Sequence, residues 1–305
     1  MPTRVQLLAL NEELRRLKAG GERGVPVSDA SLELLRSAVR NSANEAAVGA
    51  GQAAEAIFVP AREAPPPPAA SPATVRAPVV AAGLGPAPVV SLLGGSKADQ
   101  WAALREQVAQ DPVCGSHVRP GKKVVLGVGS LDAAIFFCGE APGAEEEIQG
   151  EPFVGPAGQL LTRMIQGMGL RREDVYIGNI MNWRPELAAG PGGVQVGNRP
   201  PTAEEMSYCL PYLRAQIAIV QPQLIVALGA TAAGGLLGAG TFKTLGEIKG
   251  RWHEFAGKPV MVTYHPSYIL RNNSNRSKRA IWEDLLKVME RVGQVPTEKQ
   301  RGFFL

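Results

Sequence analysis

Beyond residue 97 the chain alternates between short unbroken apolar runs and longer stretches with helical periodicity. Four runs have the length of strands: AAIFFCG at 133–139, VYIGNIM at 175–181, QLIVALG at 223–229 and PVMVTYH at 259–265. Helical patterns cover about 98–110, with Asp99 near the start, 157–168, 203–220 and 276–293. Continuous apolar strands, as opposed to alternating ones, are buried on both faces. The pattern therefore predicts an α/β fold, a three-layer α/β/α sandwich around a central, mostly parallel four-stranded sheet. In such sheets ligands bind beyond the carboxyl ends of the strands. The residues that follow each apolar run are the ones to inspect.

The first part of the chain reads differently. Val5, Leu7, Leu8, Leu14 and Leu17 recur at roughly helical spacing until Gly20-Gly21, and a second short helix is expected over 31–40. Two short helices are too few for an independent core. Residues 1–58 are expected to form an appendage that docks or binds a protein partner. Residues 59–96, with APPPPAASPA at 64–73, are Ala/Pro-rich and are expected to be a disordered linker. A catalytic domain over 97–295 and a tail over 296–305 complete the expected organisation.

Composition narrows the class only a little. Of 305 residues, 45% are apolar, enough for a real core. Lys plus Arg is 32 and Asp plus Glu 28, a net charge of +4 that suits a nucleic-acid partner without demanding one. No run of apolar residues is long enough to span a bilayer, and MPTRVQLLALNEELRRL lacks a secretory pattern, so no membrane association is expected. The cysteines are three, Cys114, Cys138 and Cys209, with no CxxC pair. That excludes a disulfide framework and a four-cysteine site made from one chain, and it points to a reducing, cytoplasmic setting.

The strand ends carry the candidate chemistry. The first is followed by Gly139-Glu140-Ala141-Pro142-Gly143, the acidic run 145–147, and GEPFVGPAG at 150–158. Glycines at this density let a backbone approach a ligand closely, or they make an ordinary strand–turn–helix connection. The GxxxxGK[ST] phosphate loop is absent here, and the acidic run would repel phosphate. Asn179 closes the second strand. Its amide could read an amide-like ligand edge or simply terminate the strand. The third strand leads into Gly229-Ala230-Thr231, a turn and a helix start. The fourth ends at His265, ahead of the stiff Pro266. A lone histidine is more often structural, but this one shares a sheet edge with Glu140 and Asn179, which favours chemistry.

Taken together, GEAPG at 139–143, GEPFVGPAGQLL at 150–161, VYIGNIMNWRP at 175–185, QPQLIVALG at 221–229 and TYHPSYILRN at 263–272 resemble the uracil-DNA glycosylase superfamily. The likeness is nearest to its iron–sulfur (family 4 type) branch and covers about residues 110–292. The resemblance implies DNA repair by base flipping: hydrolysis of the N-glycosidic bond of uracil in single- or double-stranded DNA, leaving an abasic site. It implies Glu140 and His265 as catalytic residues, the first placing water and the second facing uracil O2. It implies Gly139, Ala141, Pro142, Gly143, Phe153 and Asn179 around the base, with Phe153 stacking and Asn179 reading the uracil edge. Ser267, Tyr268, Leu270, Arg271, Arg276 and Lys278 would hold DNA, with Arg279 beside them. Between 251 and 301 stand ten basic and five acidic residues.

The chain departs from that branch at the cluster. Its members carry four cysteine ligands. Here Cys114 and Cys209 fit two of the positions and Trp183 stands at a third. Two thiolates are too few for a cluster. The expectation is therefore no cofactor and no bound metal, with Trp183 packed in the cluster's place and Cys138 a small core residue. The segment 186–202 is long and rich in Gly and Pro, either a DNA contact or a plain loop. A monomer is expected. The competing readings are a silent DNA- or nucleotide-binding protein on the same fold, and a glycosylase for another deaminated base.

Overall fold

The computed structural model describes residues 83–92, 94–187, 195–238 and 240–305. The two helices expected before residue 41 and most of the expected linker lie outside the described residues. Among the described residues no helix is long and apolar enough to cross a membrane.

The chain builds one six-stranded sheet in the order β1-β3-β2-β4-β6-β5. Four strands are parallel neighbours at its centre: β3 (Tyr176–Asn179), β2 (Ile135–Gly139), β4 (Leu224–Leu228) and β6 (Lys258–Thr263). These are the four apolar runs of the sequence. β1 (Val128–Gly129) and β5 (Trp252–Phe255) add antiparallel edges. The expected four-stranded sheet is thus corrected to six strands. β1 is two residues long and ends on glycine, too short for a pattern. β5 carries His253 and Glu254 on a solvated edge, where an apolar run is not required.

Side-chain alternation along β2 shows why both faces must be covered. Ile135 and Phe137 point into one core with α4 (Pro156–Gly167) and α9 (Asn275–Arg291). Phe136 and Cys138 point into the other with α5 (Ala203–Val220) and α6 (Ala230–Leu237). All four are essentially inaccessible. Cys138 is the small core residue the sequence suggested.

A third apolar cluster lies between α1 (Lys97–Gln110), α2 (Pro112–Ser116) and α5. α1 begins where Ser96 and Asp99 cap one another's backbone reciprocally. Leu84 and Val90 pack against this cluster, and the Leu84 amide donates to Glu204 at 2.8 Å. Residues expected to belong to a free linker therefore lie on the domain. The far end is also tied down. The Trp282 indole donates to the carbonyl of Gln300 at 2.6 Å, beside α10 (Glu298–Arg301), and Phe303 packs on Trp282 at 5.2 Å. The expected tail is a packed segment.

Candidate active site

The parallel register brings the strand-end residues together. Gly139 pairs with Asn179 across β2 and β3. The ladder continues past both strands, Ile180 donating to Gly139 at 3.0 Å and Met181 to Glu140 at 3.1 Å. β4 passes into Gly229, whose amide donates to Thr263 of β6 at 2.9 Å, two residues before His265. Glu140, Asn179 and His265 thus line one cavity of about 530 Å³, together with Ala141, Pro142 and Gly143.

The floor of this cavity is crowded by design of the sequence. A Cβ on Gly139 would collide with the Asn179 side chain and the Phe153 ring, so only glycine fits. Asn179 is 6% exposed, and its Oδ1 is buried with no hydrogen-bond partner. An orphaned buried acceptor costs about 1–3 kcal/mol, a cost that a ligand N–H would offset.

Phe153 stands over this floor in the left-handed region, φ 55°. For a bulky residue that backbone is strained and must be held from outside. Glu146 does so. Its carboxylate accepts from the amides of Val154 and Gly155, both at 3.0 Å, and of Gly143 at 3.1 Å. Arg172 donates to the carbonyl of Pro152 at 2.6 Å, and Gly158 leaves room for that of Phe153. The acidic run 145–147 thus has an internal use.

His265 is the N-cap of α8 (Pro266–Arg271) and meets Phe153 ring to ring at 5.6 Å. Its Nδ1 accepts from the Ser267 amide at 3.1 Å and from the Ser267 hydroxyl at 2.8 Å, and Arg271 donates to that hydroxyl at 3.2 Å. An Nδ1 that accepts carries no proton, so the neutral ring has its N–H on Nε2. Burial, seconded by the charge of Arg271, lowers the pKa from 6.5 to about 4. His265 is therefore a neutral donor at ordinary pH. Burial raises the Glu140 carboxyl above its usual range, with a hydrogen bond from Thr231 opposing.

The other rim belongs to α8. Ser267, Tyr268 and Arg271 line the cavity, and Tyr268 stacks on Tyr264 at 4.3 Å. Leu270, 47% exposed, and Lys278 face a second, apolar groove instead. Arg276 is exposed outside the cavity. Arg279 binds Glu283 at 2.9 Å and the carbonyl of Arg301 at 2.6 Å, so its donors serve the C-terminal segment. Sequence reasoning missed Glu146, Tyr264, Asn198 and Arg199. The available signal was the NRP following a Gly/Pro-rich loop, a polar pair with no turn to make.

Cys114 and Cys209 fall in one buried cluster with Trp183. Burial pushes both thiols up, and the proximity of Cys209 adds to the rise at Cys114. Trp183 sits between His117, at 4.9 Å, and Tyr208, at 6.2 Å, with its Nε1 buried and unpartnered. Asp111 is occupied by the Cys114 amide at 2.7 Å and by the Tyr212 hydroxyl at 2.6 Å. Among the described residues no three His, Cys, Asp or Glu side chains converge to hold a metal ion. The residues present do not fit a four-thiolate cluster.

Residues 126–286 match the family model described as the uracil DNA glycosylase superfamily. A Type-4 uracil-DNA glycosylase of Thermotoga maritima is 43% identical over 183 residues, 60% of this chain and 89% of that protein. One of Archaeoglobus fulgidus is 39% identical over 186 residues, 59% and 85% of the respective chains. One of Pyrobaculum aerophilum is 39% identical over 181 residues, 57% and 87%. This kinship corrects the expectation of a protein without a cofactor. The relatives carry the Type-4 name, that of the branch whose four-cysteine cluster the sequence was expected to have lost. The fold, the matched segment and these relatives agree: the chain belongs to the uracil-DNA glycosylase superfamily.

Proposed function

We propose that this protein is a uracil-DNA glycosylase, hydrolysing the bond between uracil N1 and deoxyribose C1′ in DNA to give free uracil and an abasic site. The observation that carries this reading is the orphaned Oδ1 of Asn179, buried in the cavity beside Phe153. Uracil offers it the N3–H, and the Asn179 Nδ2 can donate to O4. Cytosine reverses both groups, so it would leave buried partners unmet, at about 1–3 kcal/mol each. Phe153 supplies the stacking face for the flipped base.

As the N1–C1′ bond breaks, its electron pair leaves with uracil and charge gathers on O2. The Nε2–H of His265 donates there without transferring a charge of its own, because the ring is neutral. Glu140 holds the water that attacks C1′ and accepts its proton, a task for which its raised pKa is suited. Ser267, Tyr268 and Arg271 hold the strand at the cavity mouth. Leu270, Arg276 and Lys278 extend this DNA surface outward.

The finer organisation follows the same reading. The protein acts as a cytoplasmic monomer on single- or double-stranded DNA, and residues 1–58 serve as an appendage for a protein partner. The net charge of +4 suits a nucleic-acid partner, and the buried, unpaired thiols suit a reducing compartment. Size-exclusion chromatography with and without DNA checks the monomer. The activity is tested by incubating the protein with oligonucleotides bearing uracil, hypoxanthine or xanthine, followed by alkaline cleavage. Cleavage at uracil is expected. No product from any of them would favour a silent DNA-binding protein, and product from another base alone would change the substrate.

A further inference from the structure

The loop that returns to the sheet edge at Gly197-Asn198-Arg199 is governed by a side chain that never reaches the cavity. Arg184, whose side chain is 4% exposed, donates through Nη1 to Glu147 at 3.0 Å, through Nη2 to the carbonyl of Gly197 at 2.7 Å and through Nε to Asn198 Oδ1 at 2.8 Å. Glu147 is held in turn by Arg119 at 2.6 Å. The guanidinium is therefore fixed by partners on both sides.

This fixes Asn198 as well. An arginine can only donate, so the Asn198 atom facing it is the carbonyl oxygen. The amide nitrogen must point the other way. Asn198 is exposed and lines the active-site cavity, with its Nδ2 directed toward Gly143. Among the described residues nothing accepts from it. The neighbouring Arg199 cannot substitute: Glu205 takes two of its donors, at 2.7 and 2.6 Å, and the carbonyl of Glu186 a third at 2.6 Å. The rim thus presents one oriented, neutral N–H₂ group on the same cavity that Ser267 and Arg271 of α8 line.

The cavity, about 530 Å³, is larger than a single pyrimidine requires and leaves room for the sugar and its phosphates. We propose that Asn198 is a DNA-backbone contact: its Nδ2, aimed by the buried Arg184, donates to a phosphodiester oxygen beside the flipped nucleotide. Arg184 is then a positioning residue for that contact. The proposal rests on the glycosylase reading for its substrate. The Glu146 carboxylate beside this rim is taken up by the amides of Gly143, Val154 and Gly155. Those three donors offset the charge that the acidic run would otherwise set against a phosphate.

The test compares wild type, Asn198→Ala and Asn198→Asp on a single-stranded oligonucleotide carrying one non-hydrolysable 2′-fluoro-deoxyuridine. Binding is read by fluorescence anisotropy, and uracil release from the natural oligonucleotide is measured in parallel. Asn198→Ala should weaken binding about fivefold and raise KM with kcat within about twofold. Asn198→Asp should be worse, since it sets a carboxylate against the phosphate. Inhibition by free uracil should not change. Methylphosphonate placed at one phosphate next to the lesion should bring wild type down to the level of Asn198→Ala. Equal DNA binding by wild type and Asn198→Ala would overturn the contact. Loss of inhibition by free uracil in Asn198→Ala would make it a base contact and overturn the phosphate assignment. Should wild type release no uracil at all, the glycosylase reading fails, while the binding comparison still decides on Asn198.

Discussion

Asn179 ends β3 and Trp183 follows four residues later, and each buries a polar atom without a partner. Their surroundings differ. The Asn179 Oδ1 faces a cavity bounded by Phe153, Glu140 and His265. The Trp183 Nε1 is sealed among Tyr208, His117, Cys114 and Cys209. An orphan that opens on a cavity costs stability until a ligand arrives, and the ligand then recovers that cost as specificity. An orphan sealed in packing has nothing to gain. Substitutions in the first region should act on rate and substrate choice, and those in the second on stability.

The largest effect is expected beside the packed region. Glu147 neutralises two arginines, one of them fully buried. Glu147→Ala would strand the Arg184 charge, and losing one partner of a buried pair typically costs about 3–5 kcal/mol. Urea denaturation of the two proteins measures it directly. A loss below about 1 kcal/mol would mean that water reaches the site and that Arg184 is not locked.

In the cavity the effect should fall on rate. Removing an aimed donor costs about 2.7–4 kcal/mol of barrier, so His265→Ala should slow single-turnover uracil release about 100- to 1,000-fold. His265→Asn, which can still cap α8, should be slow while melting close to wild type. Recovery of the rate in the Asn variant would leave His265 only its capping role.

The pH dependence separates His265 from Glu140. Because His265 is neutral down to about pH 4, it should not set an acid limb near pH 6. Glu140, whose carboxyl burial raises above the ordinary carboxylate range, should set the acid limb of the rate, and Glu140→Gln should flatten it while slowing release at least about tenfold. Stability should fall at the same time. The unfolded chain protonates this histidine below 6.5 and the folded chain only near 4, so the folded state loses ground as pH drops through that window. Thermal melts from pH 8 to 4 would read it. An acid limb that survives unchanged in Glu140→Gln would take that role away from Glu140.

Removing residues 1–82 should leave a folded, active protein. A further cut to residue 96 removes Leu84 and Val90 from the cluster around α1, and half-burying two aliphatic side chains is worth about 2 kcal/mol. Equal melting of the two fragments would show that this segment only rests on the surface.

The parallel core was legible in the sequence because strands buried on both faces have no freedom to be polar, and β2, β3, β4 and β6 appear as four apolar runs. Edge strands carry no such constraint, so β1 and β5 left no trace. Asn179 and His265 were legible as polar residues ending apolar runs. Glu146 and Arg184 were not, because their roles depend on where a loop returns in space. A carboxylate three residues past Gly143 looks like any solvated helix start. An arginine after Trp183 looks like a surface charge until Gly197 and Asn198 fold back onto it.

Trp183→Phe should give the smallest change and the sharpest reading of the packed region. The indole is 1% exposed, so the swap deletes part of a well-packed ring and leaves a gap. It also removes the unpartnered Nε1–H, whose burial costs about 1–3 kcal/mol. The two terms oppose each other, and the net change in unfolding free energy should lie within about 1 kcal/mol. Uracil release should stay within about twofold of wild type, because Trp183 does not line the cavity. The matching swap at the other orphan, Asn179→Leu, should abolish release of uracil while leaving the protein at least as stable. A tenfold slower Trp183→Phe at unchanged stability would show that the two regions are coupled through β3 and would end the contrast between them.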